Sequence, residues 1–409
     1  MATLRAFRAL RPPPERATFV AALPYDVINS SEARTLAEGN PDSYLYVSRP
    51  EIALDPSVDE HDDQVYSQAR VALEDFIQRG VLVQDATAHF YVYSQVMGTH
   101  KQTGLVACAT VDEYDSGVIK RHEKTRADKE DDRTRHIDEL GAHDEPVFLT
   151  YYAQREIDAV IEEVTATTPA FAMATSDGVK HALWVVDSSH TAKIEQLFAS
   201  VPTLYIADGH HRSAAASRVH ALRKQRTDSR STGEHDVFMA VVFPHNQMQI
   251  MPYNRLVRDL KGRSADELFA RLSAVLDLRE SDTAAPTASK SVGLYIRNRW
   301  YQGTFRENSW DAKDPVASLD CSLVQEQILA PIFAVHDPRK DKHVDFVGGI
   351  RGAAELERRV QQEQWSLAIH MYATSINELI AVSDAGLLMP PKSTWFEPKL
   401  RSGLFVHKF

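Results

Sequence analysis

One segment constrains this chain more than any other: Leu204-Tyr-Ile-Ala-Asp-Gly-His-His-Arg212, followed by Ser213-Ala-Ala-Ala-Ser217. An apolar, β-like run ends at Ala207. Asp208 can cap a helix, because its carboxylate accepts orphan backbone N–H groups. Gly209 permits a tight turn and lets a ligand approach the backbone. The small residues after Arg212 let a helix pack closely. The segment predicts a strand, a turn and a helix in succession, in a fold that mixes both element types.

The chemistry of that turn is unusual for a plain helix start. Helix N-termini favour anions through free N–H groups and the macrodipole, so cations there work against the dipole. Placing His210, His211 and Arg212 at that end makes sense if an anion sits among them. Arg212 offers a planar, permanently charged fork suited to phosphate. Gly209, His210, His211 and Arg212 are therefore candidate phosphate contacts. A transition metal on Asp208, His210 and His211 is a weaker reading, since adjacent helical histidines point about 100° apart. Mg²⁺ held by Asp208 and ligand phosphates fits better.

The remaining chain alternates short apolar runs with helical patterns. Expected strands are 88–94, 104–111, 202–207, 237–243, 291–296 and 365–371. Expected helices are 58–79, 157–166, 189–199, 213–224, 265–274 and 376–385. Val65, Ala69, Ala72, Leu73 and Phe76 form an amphipathic stripe. Polar stretches 226–234 and 281–289 read as surface loops. The fold class expected is α+β with mixed sheets. A chain of 409 residues is too long for one ordinary core. The expected division is 1–235, carrying the key motifs, and 236–409.

Composition narrows the function classes. The formal net charge of −11 disfavours a nucleic-acid binder. No apolar run of about 18 residues exists, so no membrane helix is expected. No secretory signal is legible at the N-terminus. Cys108 and Cys321 alone cannot make a disulfide framework or a cysteine-rich zinc site. A cytoplasmic protein fits best, and a homodimer is compatible with the sequence.

Two further segments carry candidate chemistry. Ile119-Lys-Arg-His-Glu-Lys-Thr-Arg126 sets Glu123 inside a run of cations. Cations lower a carboxylate's pKa, and an ionised carboxylate beside a phosphate can hold Mg²⁺ or accept a hydroxyl proton. Arg121, His122, Lys124 and Thr125 are candidate phosphate contacts. Residues 127–136 read instead as a solvated, mixed-charge helix. The second segment, 389–403, has three prolines together with Lys392, Ser393, Thr394 and Trp395. It reads as a lid that contacts substrate, or equally as a loop that packs a core edge. Pro24-Tyr-Asp-Val27, Arg49-Pro-Glu51 and Gly348-Gly-Ile-Arg-Gly352 each look more like turns than sites.

Taken together, the segments VAALPYDVI, DSYLYVSRPEI, GVIKRHEKTRADKEDDRTRH, YIADGHHRSAAA, MPYNRLV, VGGIRG and MPPKSTWFEPKLRSGLF resemble the bacterial and archaeal "domain of unknown function 1015" family. One departure is Leu23, where the family usually has proline. The turn Asp208–Arg212 also resembles the Asp-Gly-His-x-Arg turn of free-serine kinases in the ParB/sulfiredoxin-like superfamily. That resemblance implies a nucleotide-binding core in which the turn grips ATP or ADP with Mg²⁺. It implies transfer of a phosphoryl group to the hydroxyl of free L-serine or a similar hydroxy amino acid. The family's Asp maps to Asp208. Its Glu is assigned to Glu123 by chemistry, with His210 stabilising charge. A nucleotide-gated regulatory protein and a metal-dependent hydrolase are the alternatives.

Overall fold

The computed structural model describes residues 1–226, 233–258, 262–363 and 365–409, with Ala265 described in its backbone only. The chain divides into two compact units. The first comprises residues 1–121, 125–248 and 398–409; the second comprises 122–124 and 249–397.

The first unit is built on a nine-stranded sheet. Its strands are β1 (Leu4–Arg5), β2 (Tyr91–Met97), β3 (His100–Thr110), β4 (Ile119–Lys120), β5 (Val147–Tyr151), β6 (Phe171–Ala174), β7 (Lys180–Val185), β8 (Leu204–Asp208) and β9 (Val237–Pro244). The order is β4-β8-β5-β9-β3-β2-β7-β6, with β1 on β3. The sheet is mixed. Pairs β4–β8 and β5–β9 are parallel, and the other pairs are antiparallel. Every residue of β9 is buried, as expected for a central strand covered on both faces. Phe238, Ala240 and Val242 point to one core, where Ile157, Val160 and Val164 of α3 (Arg155–Thr165) and Ile194 and Phe198 of α4 (Thr191–Phe198) join them.

Among its other helices are α1 (Asp63–Gln78), α2 (Ala127–Leu140) and α5 (His210–Arg226). The stripe on α1 is buried as expected, with Ala69, Ala72, Leu73 and Phe76 in one apolar cluster. Ile137 of α2 packs against Ala215 and Val219 of α5. Ser213, Ala214, Ala215 and Ala216 are all buried, so small side chains hold the site helix close to its neighbours.

The second unit holds a six-stranded antiparallel sheet. Its strands are β10 (Tyr253–Val257), β11 (Leu276–Ser281), β12 (Ser291–Ile296), β13 (Arg299–Phe305), β14 (Val344–Gly348) and β15 (Leu367–Met371), in the order β11-β13-β12-β15-β10-β14. Helices α6 (Ala265–Val275), α7 (Gly352–Gln362) and α8 (Ile376–Asp384) accompany it. Capping boxes at Ser264 and Ser375 start α6 and α8.

Helices and a mixed sheet are found in the first unit, as expected, but the second unit's sheet is antiparallel rather than mixed, because its strands follow one another through antiparallel pairings. The first unit runs on past residue 235 to residue 248, because β9 is a central strand of its sheet. The polar stretch 226–234 falls largely on residues 227–232, outside the described residues. Among the described residues, no helix is long and apolar enough to cross a membrane.

Candidate active site

The strand-turn-helix read from the sequence is present. Strand β8 ends at Asp208, Gly209 turns the chain at φ +96°, and α5 begins at His210. The pairing register shifts between Ile206 and Asp208 against β5, a bulge that re-aims the strand end. Gly209 is required twice over. Its φ strains any L-residue, and a Cβ would lie 3.1 Å from Arg212 Cζ. Gly209→Ala should therefore lose more than about 1 kcal/mol in urea unfolding. An unchanged midpoint would refute this account of the turn.

Asp208 is engaged by two cations. Lys399 Nζ donates to Oδ2 at 2.9 Å, and Arg212 Nη2 stands 3.7 Å from Oδ1. Burial would raise this carboxyl's pKa, but Lys399 and Arg212 outweigh it and hold the group ionised well below the usual range.

Arg212 departs from expectation. It is not an open fork but is 6% exposed, donating through Nη1 to the Pro146 carbonyl. Its Nε is buried without a hydrogen-bond partner. Burial would lower its pKa; Asp26, Asp208 and Glu145 prevail and raise it. His210 is buried. His211 Nε2 accepts the Arg126 N–H at 3.1 Å, so this nitrogen carries no proton. Burial pushes the His211 pKa down, in keeping with that neutral tautomer.

The basic run divides between the units. In the first, Arg121 is exposed and hydrogen-bonds Tyr114, and the Thr125 hydroxyl donates to Glu130. His122, Glu123 and Lys124 are counted with the second unit, where the His122 carbonyl accepts the Met389 N–H at 2.8 Å.

Residues 127–136 correct the expectation of a solvated helix. The helix forms, but Asp132, Arg133 and His136 are buried on one face. Each has a partner: Asp132 accepts from Tyr66 (2.9 Å) and Arg133 (2.8 Å), Arg133 stacks over Tyr25, and His136 Nε2 lies 3.2 Å from Asp144. Buried charges persist because they are paired.

The site residues missed by the sequence reading sit in His143-Asp-Glu-Pro146, at the entry to β5. Glu145 is buried. Its Oε1 accepts the Tyr25 N–H at 3.0 Å and the Ser402 hydroxyl at 2.7 Å, while Oε2 is buried without a partner. Burial raises its pKa to about 7; Asp144 and Asp26 push the same way, against Arg212. Asp144 beside it is also buried, but His136 and Arg133 overcome that effect and lower its pKa. The one available signal was two adjacent acids at the start of an apolar strand. Two of the three minor turns now have a place: Arg49 pairs with Glu51 at 2.9 Å and donates to the Tyr25 carbonyl at 3.4 Å.

The proline-rich segment 389–403 divides at residue 398. Its last part is built into the first unit's interior. Leu400, Arg401 and Ser402 are buried, and Arg401 pairs with Asp177. In the second unit, the Ser393 hydroxyl donates to the Pro390 carbonyl at 2.5 Å and stands 3.1 Å from Cys321 Sγ. Lys392 Nζ lies 5.3 Å from the Tyr253 ring centroid, and the Thr394 side chain is half-buried. Trp395 packs on Tyr253 and donates to Glu397 at 2.8 Å. These contacts pack the segment against its own unit.

The profile of the family described as "Protein of unknown function (DUF1015)" matches residues 4–322. The chain belongs to this DUF1015 family. The segments VGGIRG and MPPKSTWFEPKLRSGLF lie beyond the matched range. No curated protein matches the chain by sequence. Among solved structures, this DUF1015 protein is similar to a free serine kinase in complex with AMP, at 11% identity and a TM-score of 0.38, over 74% of this chain and 91% of that one. It is similar to C-terminally truncated SbnI from Staphylococcus aureus at 12% identity and a TM-score of 0.38, over 74% and 87%. A conserved hypothetical protein from Pyrococcus furiosus has 13% identity and a TM-score of 0.36, over 74% and 95%.

Proposed function

We propose that this protein is a small-molecule kinase of the cytoplasm. In this reading the Gly209–Arg212 turn grips the phosphates of ATP or ADP, and a phosphoryl group passes to the hydroxyl of free L-serine or a similar hydroxy amino acid. The observation that supports it best is an ionised Asp208 at the start of α5, behind a glycine of positive φ. Free N–H groups at a helix start attract phosphate, whereas an ionised carboxylate repels it. Mg²⁺ between them removes the repulsion, as phosphoryl transfer generally requires. Asp208 then suits a metal ligand better than a base, because its low pKa makes it a poor proton acceptor. Glu123 keeps, on sequence grounds alone, the role of accepting the hydroxyl proton. A core of ParB/sulfiredoxin-like type in the first unit belongs to the same proposal.

The hydrolase alternative is disfavoured by one contact. His211 Nε2 already accepts a backbone N–H, and a zinc centre on Asp208, His210 and His211 would need a free ring nitrogen there.

The test is incubation with L-serine, Mg²⁺ and either ATP or ADP, followed by detection of phosphoserine. Product should form with the wild type and fall at least 100-fold in Asp208→Asn and Glu123→Gln. Nucleotide binding without transfer to any hydroxy amino acid would favour a nucleotide-gated regulatory protein instead.

A further inference from the structure

We propose that His220, His235 and Asp236 form a binding site for one Zn²⁺ ion. His220 lies on α5, ten residues beyond its start. His235 and Asp236 form the short turn that leads into β9. One ligand atom from each of the three lies within 4.8 Å of the others. His220 Nδ1 is 3.1 Å and His235 Nε2 is 3.7 Å from the same oxygen, Asp236 Oδ1. Ligands about 2.0–2.1 Å from a tetrahedral zinc stand roughly 3.3 Å apart, and the two distances bracket that edge.

Two details argue against an ordinary Asp–His contact. The Nε2 of His235 is buried and has no hydrogen-bond partner. A buried polar nitrogen left unpaired is costly, and a metal would satisfy it. The carboxylate is also pre-set: Gly233 N–H donates to Asp236 Oδ2 at 3.0 Å, which leaves Oδ1 turned to the histidines. The His235 ring rests against Gly233, where a Cβ would lie 2.6 Å from Cε1. Glu234 is taken by His407 at 2.8 Å and is not a ligand.

Two imidazoles and a carboxylate suit zinc rather than Mg²⁺ or Ca²⁺, which prefer oxygen donors. Without metal, His220 Nδ1 donates to the His235 carbonyl at 3.2 Å, and Asp236 Oδ1 is left buried without a hydrogen-bond partner. With zinc on Nδ1 the His220 ring would carry its proton on Nε2, and the fourth position would go to water. The ion would fasten the site helix to the start of the central strand.

Full-length protein, stripped with a chelator, is titrated with Zn²⁺ and followed by calorimetry and thermal melting. Wild type and Asp208→Asn should each bind one equivalent and gain in Tm. Binding should weaken at least 100-fold in His235→Gln and in Asp236→Asn. Among the described residues the His235 ring makes no side-chain hydrogen bond, so His235→Gln should melt like the zinc-free wild type, which checks folding. Failure of the wild type to bind zinc would overturn the proposal. So would equal affinity in His235→Gln, or loss of binding in Asp208→Asn.

Discussion

Arg212→Ala should lose on the order of 3–5 kcal/mol in urea unfolding, because it leaves a buried carboxylate cluster short of its central cation. The guanidinium stands 3.7 Å from Asp208, and its charge is felt by Glu145 and Tyr25 as well. It also donates to the Pro146 carbonyl, so its loss strips a hydrogen bond from the entry to β5. Arg212→Lys keeps the charge but lacks the planar fork, and should recover only part of the loss. A wild-type unfolding midpoint in Arg212→Ala would show that Asp208 and Glu145 do not depend on this cation.

The second large effect is a pH dependence carried by Glu145. Its carboxyl has a pKa of about 7 in the folded chain against 4.5 ordinarily. Between these values the folded chain holds a proton that the unfolded chain has lost. Stability from this group is thus complete below about pH 4.5 and disappears as pH rises through about 7. The span corresponds to on the order of 3 kcal/mol. Asp208 acts in the opposite sense: its pKa is held low, so its contribution is present above about pH 4 and fails as pH falls. The difference in unfolding free energy between wild type and Glu145→Gln isolates the first effect. That difference should favour the wild type less at pH 8 than at pH 5. A difference independent of pH would mean that Glu145 titrates normally.

What could be read from the sequence followed from local rules. The stripe on α1 obeys helical spacing, and β9 is a continuous apolar run. Gly209 and the small residues after it mark a turn and a close-packed helix. These signals reside in neighbouring residues. The carboxylate cluster does not. Glu145 is placed by Tyr25, 120 residues earlier, and by Ser402, 257 residues later, and no local pattern announces such partners. The same holds for Asp132, Arg133 and His136. On a linear reading they are a charge run, and only their pairings with Tyr66, Tyr25 and Asp144 make burial tolerable. Arg212 was legible as a cation at a helix start, but its fold-back toward Pro146 depends on β5.

The return of residues 398–409 to the first unit bears on how the molecule folds. Lys399 meets Asp208 across 191 residues of sequence, and Ser402 meets Glu145 across 257. Contacts so remote in sequence close late and slowly, because chain entropy must be surrendered before they form. Residues 249–397 make up nearly all of the second unit and can collapse during that interval, shortening the effective loop. Until Lys399 docks, Asp208 has Arg212 beside it but not its closest cation. Assembly of the site then depends on a contact that spans 191 residues of sequence.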